Sequence, residues 1–323
     1  MCDMCIKASR SNIALLTALL LISLCAGCIS DEKEGSLIHV IEDKNGNPFV
    51  RERAAWTLAG TEDAMDPLIR VVSDGNEAAI VRRSAAYALG EIGDERAVDI
   101  LIQVVTDENE ERIVRRSAAY ALGKIGDGKA VDPLIQAISD EDQFLRDAAV
   151  CSLGRCGNKR AVDPLIQLIN DENESTNVRW HAAYSLGKIK DEIAVDPLIQ
   201  LMCDENEDLE VRKGATVALG MIGDDETVDS LILVMREDEE IMIRKTAAYA
   251  LGTTGDDRVA EPLIQVMKDR DERDIVRRFA ALSLSKIGSE EAMESLTQVM
   301  DDENESGYMR DSAADFLERR GKI

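Results

Sequence analysis

The residue types that most often carry catalysis are few in this 323-residue chain and are not spaced for it. Only two histidines occur, His39 and His181, and each is followed by an apolar residue rather than by glutamate. There is no HExxH helix, no glycine-rich phosphate loop and no nucleophile elbow. Outside the N-terminal segment, Cys151, Cys156 and Cys203 lack metal-ligand spacing and are interpreted as packing residues. We therefore expect no catalytic site and no cofactor.

Four loops begin with Asp-x-Asn, which resembles the start of a calcium-binding loop. The glycine that such a loop needs at its sixth position is absent from three of them, and the fourth has Ala313 where a bidentate glutamate belongs. We interpret them as solvated turns, and weak association of a divalent cation along an acidic edge is the alternative. The loops are residues 107–110, 171–174, 204–207 and 302–305.

Aromatic and basic residues recur with a period of 31 to 33 residues. The period belongs to a segment of the type VRRSAAYALG, which starts at Val81 and has equivalents starting at Val50, Val114, Leu145, Val178, Val211, Ile243, Val276 and Met309. A second apolar segment, of the type AVDPLIQ, lies between them. Each unit is therefore predicted to hold two short helices, as in stacked helical repeats.

The residues between these segments predict where the helices end and begin. A glycine follows the first helix in most units, where a left-handed residue is expected, and Lys190 replaces it once. A proline recurs inside the second helix and is expected to bend it. The next prediction is an N-cap for each second helix, at Thr61, Asp94, Asp127, Asn158, Asp191, Asp224, Asp256 and Ser289.

Together these signals predict an all-α fold. Its architecture is an α-solenoid, or superhelix, of about eight helix pairs with charged terminal helices that stop the stacking.

A helical wheel of the first helix separates a buried side from an outward side. The buried side is predicted to hold Val81, Ala85, Ala88, Leu89 and Ile92. The outward side is predicted to hold Arg83, Ser84, Tyr87 and Glu91. Over nine units the outward columns carry eleven basic and five acidic residues, and seven of the eleven aromatic residues of the chain.

These outward columns form the predicted binding face, because Trp, Tyr and Arg are enriched at the energetic centres of interfaces. The alternative is that each ring only shields a helix edge, which explains one residue better than it explains a stripe. The predicted binding residues are Trp56, Arg83, Tyr87, Arg116, Tyr120, Trp180, His181, Tyr184, Lys213, Tyr249, Arg278 and Phe279.

Two other charged columns are assigned to the fold. Arginine occupies the second position of the repeated segment in all nine units, from Arg51 to Arg310. A guanidinium can hold a carboxylate and a backbone carbonyl together, so the arginines are predicted to form ladders with an acidic column. That column is Asp66, Asp99, Asp132, Asp163, Asp196, Asp229, Glu261 and Glu294.

The segment VRRSAAYALGEIGDERAVDILIQVV resembles the HEAT-like repeats of phycobilin lyases and the consensus of designed HEAT-like binding scaffolds. The resemblance covers residues 36–323 and implies that the outward positions line a concave binding surface. It implies no activity, because the same repeat serves enzymes, enzyme chaperones and plain binders. Relatives that hydroxylate deoxyhypusine hold iron with His-Glu pairs, which this chain lacks.

The first 28 residues have a different composition. Lys7 and Arg10 precede an apolar run over residues 13–24, and small residues then lead to Cys28. This layout resembles a lipoprotein signal, which implies removal of residues 1–27, lipidation of Cys28 and a tether over residues 28–35. An ordinary secretory cleavage or an uncleaved anchor is the alternative. The prediction is an extracytoplasmic protein attached to a prokaryotic cell membrane by its lipid alone.

The formal net charge of −25 argues against nucleic acid and anionic membrane surfaces as partners of the whole molecule. The predicted function is therefore a non-enzymatic scaffold that binds a protein of acidic character on the first-helix face. A ligand- or glycan-capturing surface protein is one alternative, and a HEAT-like enzyme or enzyme chaperone is another.

Overall fold

The structure is a computed structural model, and it describes residues 31–321. These residues form eighteen α-helices and no β-strand. Their contacts divide the chain after Cys156 into two compact units. The predicted leader, the lipidation site Cys28 and residues 28–30 of the predicted tether lie outside the described residues. Between residues 31 and 321, no helix has both the length and the hydropathy needed to cross a bilayer.

Unit 1 contains helices α1 to α8. Helix α1 begins at Asp31, so residues 31–35, which the sequence assigned to a tether, are helical. The helices are α1 (Asp31–Glu42), α2 (Pro48–Thr57), α3 (Met65–Ser73), α4 (Ala79–Ile92), α5 (Val98–Thr106), α6 (Arg112–Ile125), α7 (Val131–Ala137) and α8 (Gln143–Cys156).

Unit 2 contains helices α9 to α18. The last of them, which the sequence predicts as a lone charged helix, ends at Arg319. The helices are α9 (Val162–Ile169), α10 (Thr176–Ile189), α11 (Val195–Cys203), α12 (Leu209–Ile222), α13 (Asp225–Glu237), α14 (Ile241–Thr254), α15 (Ala260–Lys268), α16 (Asp274–Ile287), α17 (Glu290–Asp301) and α18 (Gly307–Arg319).

The even-numbered helices are the predicted first helices, and the odd-numbered helices are the predicted second helices. Within each unit, consecutive even helices pack on one another more extensively than consecutive odd helices do. Small residues allow this approach: a Cβ atom added at Gly90 of α4 would lie 2.6 Å from the Cα atom of Ala121 on α6. The fold is therefore the predicted α-solenoid of stacked helix pairs.

The predicted helix boundaries are confirmed in nearly every repeat. The glycines after the even helices have positive φ angles, and Lys190 adopts the same left-handed conformation with φ of 58°. Asp94 accepts a hydrogen bond from the backbone N–H of Arg96, and the equivalent Asp, Asn and Ser residues do the same in the later repeats. Thr61 is the exception, because its side chain makes no capping hydrogen bond.

The recurring proline lies in the first turn of the α-helical part of the second helix, and not in its interior. Each of the five odd helices that contain it is preceded by a short 3₁₀ turn, such as Glu62–Ala64 before α3. The α-helix then begins at Met65, which places Pro67 in its first turn. Backbone N–H groups in a first turn have no acceptor within the helix, so the missing N–H of proline breaks no hydrogen bond there.

The arginine column is structural, but its predicted acidic partners are wrong. Most of these arginines donate from Nε to the carbonyl oxygen ten residues earlier, at the end of an odd helix, as Arg115 does to Val105 at 3.1 Å. The guanidinium then binds a carboxylate in the next loop: Arg115 binds Asp140 at 2.6 Å, and Arg244 holds Glu272 through two bonds of 2.7 and 2.8 Å. The loop carboxylates are Glu77, Glu110, Asp140, Glu207, Asp238, Glu272 and Glu305.

The acidic column that includes Asp66 and Asp99 is exposed instead. Its ion pairs are with exposed side chains, as between Asp99 and Lys129 at 3.4 Å. The prediction failed because two columns that contain nearly the same number of residues need not be adjacent in space. The acidic loops are also more than solvated turns, since Glu110, Glu207 and Glu305 end them and bind the buried arginines.

The three cysteines in the described residues are free thiols. Cys151 and Cys156 are half-buried, and burial raises the pKa of the Cys156 thiol. Cys203 is exposed at the end of α11, so the interpretation as a packing residue is wrong for Cys203.

Candidate binding face

The candidate site is one face of the even helices. Positions three, four and seven residues apart on a helix lie on the same side, so the columns of Trp180, His181, Tyr184 and Lys188 share one stripe of α10. The core behind this stripe is made of Ala, Val and Leu side chains that are fully buried, such as Ala182 and Leu186. The stripe itself is half-buried or exposed, so its side chains are available for contacts.

Unit 1 carries a ladder of three stacked rings, one from each of α2, α4 and α6. The ring centroids of Trp56 and Tyr87 are 4.3 Å apart with an interplanar angle of 3°. Those of Tyr87 and Tyr120 are 5.8 Å apart at 13°. The guanidinium of Arg155, on α8, lies 4.5 Å from the Tyr120 centroid and covers that end of the ladder. Stacking and cation–π contacts therefore fix the spacing of these rings.

The charges of unit 1 are arranged around this ladder. Glu52 forms an ion pair with Arg83, and Glu91 pairs with Lys124 at 3.0 Å. These pairs neutralise part of the positive charge that the sequence places on this face. Burial, and then the neighbouring Glu91 carboxylate, raise the pKa of the Tyr87 hydroxyl.

In unit 2 the rings form two separate clusters. The first lies on α10, where Trp180 and Tyr184 stack at 5.3 Å and His181 meets the Trp180 ring edge-on at 4.9 Å. The indole of Trp180 also lies against α12 at Gly214, where an added Cβ atom would be 2.9 Å from the Trp180 Cδ1 atom. The absence of a side chain at Gly214 therefore gives the indole its place.

The second cluster of unit 2 lies on α14 and α16. The rings of Tyr249 and Phe279 are 6.1 Å apart at an angle of 69°. Lys286 lies 3.8 Å from the Tyr249 centroid, and Lys245 lies 4.9 Å from the Phe279 centroid. Between the two clusters, α12 has Val217 in the ring column, so the ladder seen in unit 1 does not form here.

Comparison with known proteins identifies the repeat. HEAT repeats match residues 36–113, 108–176, 172–240 and 228–318. The chain belongs to the HEAT-repeat family. The sequence resemblance to HEAT-like repeats is thereby confirmed, and no curated protein matches the chain.

Several solved structures are similar to this chain. The karyopherin Kap121p bound to the extreme C-terminus of the protein phosphatase Cdc14p is 16% identical, with a TM-score of 0.55 over 90% of this chain and 38% of that one. The CpcE–CpcF complex of phycocyanin lyase from a Nostoc species is 23% identical, with a TM-score of 0.47 over 77% of this chain and 94% of that one. Human deoxyhypusine hydroxylase in complex with glycerol is 22% identical, with a TM-score of 0.36 over 90% and 97%. At these identities the likeness concerns the fold alone.

The HEAT repeats bring the predicted binding residues together in three groups. One group in unit 1 holds Trp56, Arg83, Tyr87, Arg116 and Tyr120. In unit 2, Trp180, His181 and Tyr184 form a second group, and Tyr249, Phe279 and Arg278 lie on α14 and α16 as a third. Lys213 contacts no ring among the described residues and forms an ion pair with Glu210 at 2.8 Å.

One residue of the predicted outward side is wrong. Ser84 is 1% exposed, and its hydroxyl has no hydrogen-bond partner among the described residues. The helical wheel treats α4 alone, whereas α4 packs between α2 and α6, and these neighbours cover the position.

Sequence reasoning also missed three aromatic residues of the face. Phe49, Phe144 and Tyr308 lie one residue before the repeated segment and are 72%, 63% and 46% exposed. Arg116 lies over the Phe144 ring at 5.7 Å, and Arg278 lies over the Tyr308 ring at 5.6 Å. The signal was present, because this column is four residues before that of His181 and seven before that of Tyr184. With them, ten of the eleven aromatic residues lie on this face, and only Phe316 is buried.

Proposed function

We propose that the protein is a non-enzymatic scaffold that binds a partner protein on its even-helix face. The observation that carries the proposal is the concentration of ten of the eleven aromatic residues on that face, outside the core. Rings that keep their exposed area and are held in fixed positions are typical of the centre of a protein interface.

The packing of the fold does not account for these rings. Leu89 and Leu122, on the buried side of α4 and α6, are fully buried, whereas Trp56 and Tyr249 are 46% and 37% exposed. Truncating an exposed ring removes less buried area than truncating a core leucine. The rings therefore contribute more to a bound surface than to the stability of the repeats.

The ladder of unit 1 favours a protein partner over a glycan. A sugar binds an aromatic residue by stacking on its open face, but both faces of Tyr87 are covered by Trp56 and Tyr120. Tyr87 therefore offers only its ring edges, and Arg155 covers the Tyr120 end of the ladder. Ring edges and guanidinium groups can contact the side chains and backbone of a protein, and both are common at protein interfaces. The karyopherin that shares this fold is itself bound to the C-terminus of a protein.

The test is capture of a partner from the native envelope fraction. Replacing Trp56, Tyr87 and Tyr120 by alanine should weaken the affinity by at least about a hundredfold, since a ring at an interface centre contributes on the order of 1–2 kcal/mol. The helical circular-dichroism signal should be retained.

A matched control keeps this test specific. Ile193 and Leu233 are exposed apolar residues, 59% and 54%, that lie outside the even helices. The Ile193→Ala, Leu233→Ala double variant should capture the partner as well as the unaltered chain does. If the ring variant, with alanine at Trp56, Tyr87 and Tyr120, captures the partner as well as the unaltered chain does, the proposal is wrong.

The proposed location is outside the cell membrane, with the lipid on Cys28 as the only anchor. The support is the lipoprotein-like sequence before Cys28. Labelling cells with a radioactive fatty acid should label the chain, and the Cys28→Ser variant should lose the label and leave the membrane fraction. A labelled Cys28→Ser variant would contradict this assignment.

A further inference from the structure

Six cations of the binding face are held over rings instead of beside carboxylates. The rings and cations are on the even helices, and the distances from cation to ring centroid run from 3.8 Å for Lys286 to 5.9 Å for Lys188. None of the six forms an ion pair with a carboxylate in residues 31–321, although the whole chain has 63 acidic residues. They are Arg116, Arg155, Lys188, Lys245, Arg278 and Lys286.

Other cations of the same face show that acidic partners are within reach of these helices. Arg83 pairs with Glu52, Lys124 with Glu91, Lys213 with Glu210, and Arg319 with Asp315. The six ring-held cations therefore differ from their neighbours in keeping their positive charge unmatched. A ring face positions a cation without neutralising it, so these side chains are ordered and still available to an anion.

Four of the six belong to two quartets with the same arrangement. In unit 1, Arg116 of α6 lies over Phe144 of α8, and Arg155 of α8 lies over Tyr120 of α6. The second quartet, in unit 2, has Lys245 of α14 over Phe279 of α16 and Lys286 of α16 over Tyr249 of α14. In unit 2 the two cations lie on either side of both rings. In unit 1, Phe144 lies before Arg116 along the repeat, so Tyr120 is the ring between Arg116 and Arg155.

The two cations of a quartet lie in separate rows, with Tyr120 between the rows in unit 1 and both Phe279 and Tyr249 between them in unit 2. Equivalent positions in these rows are eight residues apart along a helix, which is about 12 Å at 1.5 Å per residue. An extended peptide alternates its side chains to opposite sides and advances about 3.3 Å per residue. The peptide backbone would cross the helices over the rings, and its acidic side chains would reach the cations of both rows. Packed helix axes are about 10 Å apart, so about three peptide residues would cross each helix.

We infer that each of the two quartets, within its own unit, binds an acidic, extended segment of the partner protein. This inference rests on the proposed function and adds the chemistry of the partner: alternating carboxylates, with small or ring-shaped apolar side chains between them. Nucleic acid also offers anions, but the net charge of −25 repels a polyanion as a whole, whereas a short acidic segment touches only the positive face. The acidic loops of a second copy of this chain are the other anions to exclude.

The experiment measures fluorescence anisotropy of a labelled peptide with the sequence Glu-Glu-Pro repeated four times, titrated with the full chain. Proline keeps this peptide extended. A peptide with Gln-Gln-Pro repeats has the same shape without charge, and an oligothymidylate of equal length tests nucleic acid. We expect the acidic peptide to bind at least about tenfold more tightly than either, and the binding to weaken as salt is raised.

Two chain variants locate the binding. The Arg116→Gln, Arg155→Gln and the Lys245→Gln, Lys286→Gln double variants should each lose one of the two peptides bound per chain, and the variant with all four changes should bind the acidic peptide at least about tenfold more weakly. The control is Lys129→Gln, Lys268→Gln, which removes two exposed cations outside the even helices and should leave binding unchanged. The preference for the acidic peptide over the neutral peptide and the oligothymidylate is measured on the unaltered chain. The inference can therefore be tested even if a variant fails to fold.

Several results would overturn the inference: no preference for the acidic peptide, equal binding by the quartet variants, or tighter binding of the oligothymidylate. Self-association in sedimentation that the quartet variants abolish would make a second copy the occupant and overturn it too. If the acidic peptide fails while the ring variant still loses the native partner, the inference falls and the proposed function stands.

Discussion

The buried arginines and the ring-held cations lie side by side on the same helices, but their contacts are different. Arg277 on α16 is 2% exposed, donates to the Met267 carbonyl at 3.0 Å and binds Glu305. Its neighbour Arg278 lies 5.6 Å from the Tyr308 ring centroid and forms no ion pair among the described residues. One arginine thus has its donors satisfied within the fold, and the next remains available. In this repeat the arginine that stabilises the fold and the arginine proposed for binding are therefore adjacent in the sequence.

The largest effect that we expect is a loss of folding stability when Arg277 is replaced. Arg277→Ala leaves the buried Glu305 carboxylate without its partner, and we expect a loss of about 3–5 kcal/mol in the free energy of unfolding. Arg278→Ala should cost less than about 1 kcal/mol, because that half-buried side chain contacts the ring and the hydroxyl of the exposed Tyr308 and leaves no buried carboxylate behind. Urea denaturation followed by circular dichroism measures both.

Lysine at position 277 sharpens the same test. Arg277→Lys should recover little of the loss, because an ammonium group cannot hold the Met267 carbonyl and the Glu305 carboxylate in a planar fork. Equal destabilisation by the alanine variants at 277 and 278 would remove the distinction between the two columns.

Acid should reduce the stability that the arginine column gives to the fold, because its carboxylate partners become protonated. The ring-held cations have no carboxylate partner among the described residues and should not contribute to this loss. A hydrogen bond from Arg277 lowers the pKa of Glu305. Burial raises the pKa of Asp140, but hydrogen bonds from the Asp142 backbone N–H and then from Arg115 give a net lowering. Burial likewise raises the pKa of Glu272, and the hydrogen bond from Arg244 gives a net lowering. A carboxyl group with a lowered folded pKa stabilises the fold above its unfolded pKa and loses this as pH falls through the folded value.

The melting temperature should therefore fall as pH drops below about 4.3, the ordinary value for glutamate, and stay nearly level from about pH 5 to 7. The Glu305→Gln variant should show a smaller fall over the same range. Identical pH profiles for the variant and the unaltered chain would contradict this account of acid sensitivity.

Two glycines allow a comparison of packing in two places: Gly90 lies against the backbone of the neighbouring even helix, and Gly214 lies against the Trp180 ring of the binding face. The Cβ atom of Gly90→Ala would lie 2.6 Å from the Ala121 backbone, and we expect a net loss of about 1–3 kcal/mol despite the better helix propensity of alanine. Gly214→Ala meets the Trp180 indole, which is half-buried and has room to shift.

For Gly214→Ala we expect a stability change below about 1 kcal/mol and a shift in the tryptophan emission. The measurement uses a Trp56→Phe background, so that Trp180 is the fluorophore. Unchanged emission together with a large loss of stability would mean that Gly214 serves the core.

The smallest effect concerns the ladder of unit 1. A double-mutant cycle with Trp56→Ala and Tyr87→Ala should give a coupling of about 0.5–1.5 kcal/mol, the usual contribution of a stacked pair. Trp56 and Tyr249 provide the control cycle: they lie in different units and are expected to be uncoupled. A coupling larger than about 2 kcal/mol in the ladder would assign these rings to stability instead of binding.

Much of the fold was predictable because it depends on local sequence. Gly93 and Lys190 end helices by adopting a left-handed conformation, and Asp94 caps the following turn; each of these needs only its own neighbours along the chain. The partner of Arg115 was missed because Asp140 lies in the next loop, 25 residues away, and only stacking of the repeats brings the two together.

The binding face was predictable in outline and incomplete in detail. Phe144 was missed because the repeated segment was read from Leu145 onward, although α8 begins at Gln143. Ser84 was misplaced because a wheel contains one helix, while burial at this position comes from two neighbours. The pairing of cations with rings depends on side-chain conformation between adjacent helices, which periodicity does not encode.

The most direct test of the central claim is hydroxyl-radical footprinting of the chain, free and bound to the captured partner. Binding on the even-helix face should protect its exposed rings, such as Trp56, Phe144 and Tyr249, while Ile193 and Leu233 remain as reactive as in the free chain. Protection of Ile193 and Leu233 with undiminished oxidation of the rings would show that the partner binds elsewhere.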